Sequence, residues 1–122
     1  MNAARPEPRL GGGGDDGGVT ADVTLLYFAD CPNWQQAHRR VRQALREVGA
    51  PEAALTLRRV ETDEEAQHLA FHGSPTVRIN GADPFADPAA PVGLACRVYR
   101  SATGLTGAPT VEELTAALRA AG

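Results

Sequence analysis

The sequence predicts an α/β fold of β-α-β-α-β-β-α order: a four-stranded mixed sheet, strand order 2-1-3-4, with helices on both faces. Three observations carry that expectation. Short apolar, β-rich runs alternate with segments whose apolar residues recur at helical spacing. Two of the helical segments open with the spacing of a capping box, at Thr62-Asp63-Glu64-Glu65 and at Thr110-Val111-Glu112-Glu113. The turn pair Asn80-Gly81 ends the third strand.

Before the first strand, residues 1–20 hold almost no large apolar side chain and contain the tract Gly11-Gly12-Gly13-Gly14-Asp15-Asp16-Gly17-Gly18. Ordering such a segment costs much backbone entropy and buries little in return, so it reads as a disordered tail before one domain at 21–122. The tract is no phosphate loop, because it lacks a following Lys-Ser or Lys-Thr and a preceding strand. Strand one, about Val23–Ala29, is apolar throughout, as expected of a strand covered on both faces. Helix one runs from about Pro32 to Val48, with Trp34, Ala37, His38, Val41, Leu45 and Val48 at helical spacing, and Gly49-Ala50-Pro51 stops it. Leu55–Val60 is strand two. Helix two carries Ala66, Leu69 and Ala70 towards Gly73, and strand three is about Thr76–Ile79. A proline-rich connection from Ala82 to Ala95 leads to strand four at Cys96–Tyr99, and the last helix presents Val111, Leu114 and Leu118. Two right-handed crossovers would set strands one, two and three parallel with strand one central, and strand four antiparallel beside strand three. Helices one and three would then cover one face and helix two the other.

Composition narrows the function. The 122 residues carry 12 basic and 15 acidic side chains, a net charge of −3, and no basic cluster joined to aromatics, so neither nucleic acid nor an anionic membrane is the expected partner. No apolar run approaches the roughly 20 residues that span a bilayer. Arg5 and Arg9 are followed by glycines where a signal peptide needs an apolar stretch, so the expected location is cytoplasmic. Two cysteines in that setting point to redox, metal or buried structural roles.

The chemistry centres on Cys31-Pro32-Asn33-Trp34, where strand one gives way to helix one. Unpaired backbone N–H groups and the positive end of the helix dipole favour the thiolate form of a cysteine placed there. Trp34 stands where a dithiol motif would carry its second cysteine, so no two-residue-spaced disulfide can form. It is either the first core residue of helix one or a flat cover for the sulfur. Asp30 is expected to cap the helix backbone. Cys96 is the other thiol, read as a buried structural residue, as a partner for Cys31, or as an independently reactive or metal-binding thiol. A tight hairpin would leave it beyond the roughly 7 Å of Cα separation that a disulfide tolerates. Fifteen residues separate Asn80 from Cys96, however, and a connection of that length can fold back to the site. Asp83-Pro84-Phe85 reads as a packed loop anchored by Phe85, and His72 falls close to the site. His38 and His68 lack ligand spacing with a cysteine, so no metal and no cofactor is expected. Arg39, Arg40, Arg42 and Arg46 form a solvated face of helix one.

Cys31-Pro32-Asn33-Trp34 followed by Gly73-Ser74-Pro75-Thr76 resembles the thioredoxin-like superfamily over about Val23 to Ala121. The resemblance implies a cis Pro75 facing Cys31, with Ser74, Pro75, Thr76 and Trp34 lining a substrate groove and the Ser74 backbone open to an extended peptide. More narrowly, Gly73–Val77, Asp83-Pro84-Phe85 and Gly93–Tyr99 are similar to a bacterial group of small thioredoxin-family proteins, some named for alkylmercury lyase. Organomercurial lyases converge two cysteines and an acid on one mercury, so that name implies only soft-metal or thiol-adduct chemistry here. The expectation is thiol–disulfide exchange with protein or small-molecule thiols through Cys31 as nucleophile, resolved from outside or by Cys96. A non-redox binding module and a soft-metal thiol binder are the alternatives.

Overall fold

Strand β1 (Val23–Tyr27) is the centre of a three-stranded mixed sheet of order β2-β1-β3, with β2 at Leu55–Arg59 and β3 at Thr76–Ile79. The computed structural model describes residues 21–87, 90–101 and 104–121, and the expected tail lies outside them. Helix α1 (Trp34–Glu47) follows β1, α2 (Asp63–Leu69) follows β2, and α3 (Val111–Ala121) ends the chain. A separate antiparallel hairpin pairs β4 (Tyr99–Ser101) with β5 (Gly104–Thr106). Among the described residues no helix is long and apolar enough to cross a membrane.

Alternation along β1 sorts the core into two layers. Val23 and Leu25 face α1 and α3, joining Val41, Leu45, Leu114, Leu118, Val77 and Ile79 in the larger cluster. Leu26 faces the other way, into a smaller cluster with Val60, Ala66 and Phe71. Helices α1 and α3 therefore share one face and α2 the other, as the pattern predicts. Helix ends follow the sequence signals as well. The Thr110 hydroxyl accepts the Glu113 N–H at 3.1 Å while the Glu113 carboxylate accepts the Thr110 N–H at 2.9 Å. At the end of α1, Gly49 takes φ 76°, and its N–H and that of Ala50 donate to the Arg46 and Leu45 carbonyls.

One expectation is corrected. Strand β3 runs antiparallel to β1, pairing Leu26 with Thr76 and Val23 with Ile79. A seven-residue α2 rises only about 10 Å, less than the roughly 17 Å of a five-residue strand, so it does not carry the chain to the far edge. Residue Ala70 turns left-handed at φ 52°, and the chain re-enters the sheet at the end where β1 finishes. Cys96–Tyr99, expected as a fourth strand, is placed less regularly. The described residues give no ladder between this segment and β3; Cys96 instead makes one parallel bridge to Ser74, and Tyr99 begins the separate hairpin.

Candidate functional site

Cys31 lies just past the carboxyl end of β1, and its N–H donates to the Phe28 carbonyl at 3.1 Å. The side chain is 1% exposed, with Sγ 3.4 Å from the Ser74 carbonyl oxygen. Helix α1 begins three residues later. Its N-cap is Asn33, whose side chain makes no capping bond, so Asp30 does not cap the helix as expected. The Asn33 amide packs instead against Gly107, where an added Cβ would lie 2.4 Å from the Asn33 Cγ. Trp34 is half-buried, belongs to neither core cluster, and stacks on Tyr27 of β1, centroids 4.2 Å apart and planes 23° apart.

The long connection folds back to this end of the sheet. Val92 and Leu94 pack on the Leu26–Phe71 cluster, and the Gly93 N–H donates to the Phe71 carbonyl at 3.0 Å. The Ser74 N–H then donates to the Ala95 carbonyl, and the Arg97 N–H to the Ser74 carbonyl, both at 2.8 Å. Gly73 permits the approach. Its φ is 107°, and a Cβ there would come within 3.0 Å of the Ala95 oxygen and 3.1 Å of the Arg97 Cβ. Cys96 thereby places its Sγ 3.7 Å from that of Cys31, both as free thiols.

Arg97 fixes the arm that carries Cys96. One guanidinium nitrogen donates to the Asp83 carboxylate at 2.6 Å and to the Thr76 hydroxyl at 3.2 Å. The other donates to the Phe85 carbonyl at 2.6 Å. The Arg97 and Asp83 side chains are 5% and 13% exposed. A buried arginine is tolerable only when its charge and donors are all met, and this one also lies over the Tyr99 ring at 4.6 Å. Tyr99 donates its hydroxyl to the Pro75 carbonyl and meets Phe85 edge to face, with ring planes at 82°. Burial pushes the Tyr99 phenol well above its ordinary value. Along this arm the inward residues Arg97 and Tyr99 alternate with outward Cys96, Val98 and Arg100, as in an extended strand.

The two sulfurs differ in access. Cys31 is sealed, whereas Cys96 is exposed, which corrects the reading of Cys96 as a buried structural thiol. Desolvation raises the Cys96 thiol above its ordinary value, assisted by its hydrogen bond to Cys31 and by the negative charge Cys31 would carry. Cys96 also lines a cavity of about 690 Å³ with His72, Phe85, Arg97, Tyr99 and Arg100. His72 is held there by a 2.8 Å contact between its Nδ1 and the Ala90 carbonyl oxygen.

Of the expected groove, Ser74, Pro75 and Thr76 are buried, and the Ser74–Pro75 peptide is cis. Both backbone groups of Ser74 are already paired with the chain's own Ala95–Arg97 arm, so the position expected to receive an extended peptide is filled from within. The Ser74 hydroxyl is buried without a hydrogen-bond partner. The arginines of α1 are less uniformly solvated than expected, since Arg40 donates to the Ala108 and Pro109 carbonyls at 3.1 and 3.2 Å. Among the described residues no group of three or more His, Cys, Asp or Glu side chains could hold a metal ion. Sequence reasoning missed the Arg97–Asp83 pair. Its signal was a lone arginine at an inward position of an extended segment, which needs a carboxylate partner.

Comparison with protein-family models, with curated proteins and with solved structures finds no match to this chain.

Proposed function

We propose that this protein is a thioredoxin-like thiol–disulfide exchange protein whose working pair is Cys31 and Cys96. The observation that carries the reading is the 3.7 Å separation of two free thiols that lie 65 residues apart in the chain. A disulfide needs about 2.05 Å between sulfurs, so the two must approach further for the bond to form. The thioredoxin-like reading, with order 2-1-3-4 and the Cys96–Tyr99 segment beside β3, is supported by three features. These are the β2-β1-β3 order, the helices on both faces, and the cis peptide before β3 opposite a cysteine after β1.

The exchange balances as follows. One cysteine thiolate attacks a partner disulfide, forming a mixed disulfide and expelling one partner thiolate, which takes up a proton. The second cysteine, as thiolate, attacks the protein sulfur of the mixed disulfide, closing Cys31–Cys96 and releasing the second partner thiolate. Two electrons pass to the partner, and the reverse sequence returns them. The partners are protein or small-molecule thiols and disulfides. A peptide-gripping module without redox turnover is less well supported, because the Ser74 backbone it would use is occupied by Ala95 and Arg97.

The test is turnover of a model protein disulfide, insulin, with dithiothreitol as reductant. The full chain accelerates the reduction, and Cys31→Ser and Cys96→Ser each return it to the uncatalysed rate. Activity retained in both variants overturns the assignment.

A further inference from the structure

Exchange at a disulfide depends on which sulfur the partner can reach as much as on which thiol ionises. Here the cysteine at the strand–helix junction is the sealed one. Cys31 is 1% exposed, walled by the Ser74 carbonyl on one side and by the Cys96 sulfur on another. Cys96 faces solvent and forms part of the wall of the 690 Å³ cavity. The arm that carries it is pinned by the buried Arg97–Asp83 pair and by the two Ser74 backbone bonds, so it does not swing away freely to uncover Cys31.

The cavity also has a chemical bias. Arg97 is neutralised by Asp83 and Asp87, the acidic residue of the lining, is already engaged, whereas Arg100, on the outward side of the same arm, is exposed and has no ion-pair partner among the described residues. Phe85 and Tyr99 give the lining apolar surface, while His72 adds a polar side chain. Such a space suits a small flexible thiol that carries a carboxylate more than it suits an extended chain.

We infer that Cys96 is the sulfur that exchanges with the outside, that Cys31 is its internal partner, and that the cavity beside Cys96 admits a low-molecular-weight thiol bearing a carboxylate, oriented by Arg100. The inference rests on the exchange reading above. In the oxidised protein the small thiolate attacks Cys96 Sγ; its bond to Cys96 forms, the Cys31–Cys96 bond breaks, and the electron pair leaves on Cys31 Sγ. A second small thiolate then attacks the small-molecule sulfur of the mixed disulfide. It forms the free small disulfide and releases Cys96 as thiolate, and both cysteines take up protons from solvent. Two small thiols are oxidised and one protein disulfide is reduced.

The experiment follows mixed-disulfide formation by intact mass in full-length Cys31→Ser and Cys96→Ser, each checked for folding by circular dichroism. The probes are glutathione disulfide, which carries carboxylates, and cystamine, which carries only amines. At a pH near the ordinary thiol value of about 8.5, Cys31→Ser should trap glutathione at Cys96 about tenfold or more faster than Cys96→Ser traps it at Cys31. Adding Arg100→Ala to Cys31→Ser should slow the glutathione reaction about two- to fivefold and leave the cystamine reaction unslowed. Trapping at Cys31 as fast as at Cys96, in a wild-type chain that still closes its disulfide, overturns the inference and leaves exchange standing. Equal slowing of both probes by Arg100→Ala overturns the choice of ligand. Failure of the wild-type chain to form Cys31–Cys96 at all removes the exchange reading and this inference together.

Discussion

The two sulfurs sit in contact, yet the structures that hold them have little in common. Cys31 is placed by neighbours in sequence: β1 delivers the chain, Cys31 bonds back to Phe28, and α1 starts three residues on. Cys96 is placed by residues far along the chain, through Ser74, Asp83 and Phe85. One position is held by secondary structure whose stability comes from the main core. The other is held by an arm outside the sheet, anchored by one buried ion pair, two Ser74 backbone bonds and the packing of Val92 and Leu94. The difference teaches that the pairing is only as firm as its less regular half, and that substitutions can separate the halves.

The sharpest separation should come from Arg97→Ala, which strands the Asp83 carboxylate. Breaking a buried pair in this way costs about 3–5 kcal/mol, to be read by chemical denaturation. In the same variant Cys96 should alkylate faster while a disulfide with Cys31 closes more slowly. Combining it with Asp83→Asn should recover part of the loss, since no uncompensated charge remains. Unchanged stability in the single variant would mean that the arm is held by something else.

Gly73→Ala attacks the same arm from the other side. Alanine at φ 107° is strained, and its Cβ would meet the Ala95 oxygen at 3.0 Å, so about 1–3 kcal/mol should be lost along with the rate of disulfide closure. Thr110→Ala is the contrasting case. Losing the cap of α3 should cost about 1 kcal/mol in thermal or denaturant unfolding while leaving disulfide closure as it was. If closure slowed there too, the two supports would not be independent.

The smallest effect is one of pH. The raised Cys96 thiol keeps its proton to higher pH, so its alkylation midpoint should lie above that of an ordinary thiol, read by mass spectrometry across a pH series. Desolvation is the largest cause and Cys31 supplies the rest. Cys31→Ser should therefore move the midpoint only part of the way down.

Legibility in the sequence divides along the same line. The strands at Val23, Leu55 and Thr76, the two capping boxes, the Gly49 stop and the Asn80-Gly81 turn were readable because each is settled by residues within one turn or strand. The Cys31 junction belongs with them. The direction of β3 was not readable, because it depends on how far the short α2 carries the chain before Ala70 reverses it, a matter of geometry and not of pattern. Nor was the fold-back of the long connection fixed in advance. That depends on Val92 and Leu94 finding the Phe71 cluster and on Arg97 finding Asp83, contacts that local periodicity does not encode. Phe85 was legible as an anchor for its loop, while its carbonyl as an acceptor for Arg97 was not.

The most direct measurement is a peptide map of the full chain after mild oxidation, run beside its intact mass without reductant. The account predicts a monomer lighter by two hydrogens, with Cys31 and Cys96 recovered in one cross-linked peptide that separates on reduction. A chain that stays fully reduced, or that forms only intermolecular disulfides through Cys96, would contradict it.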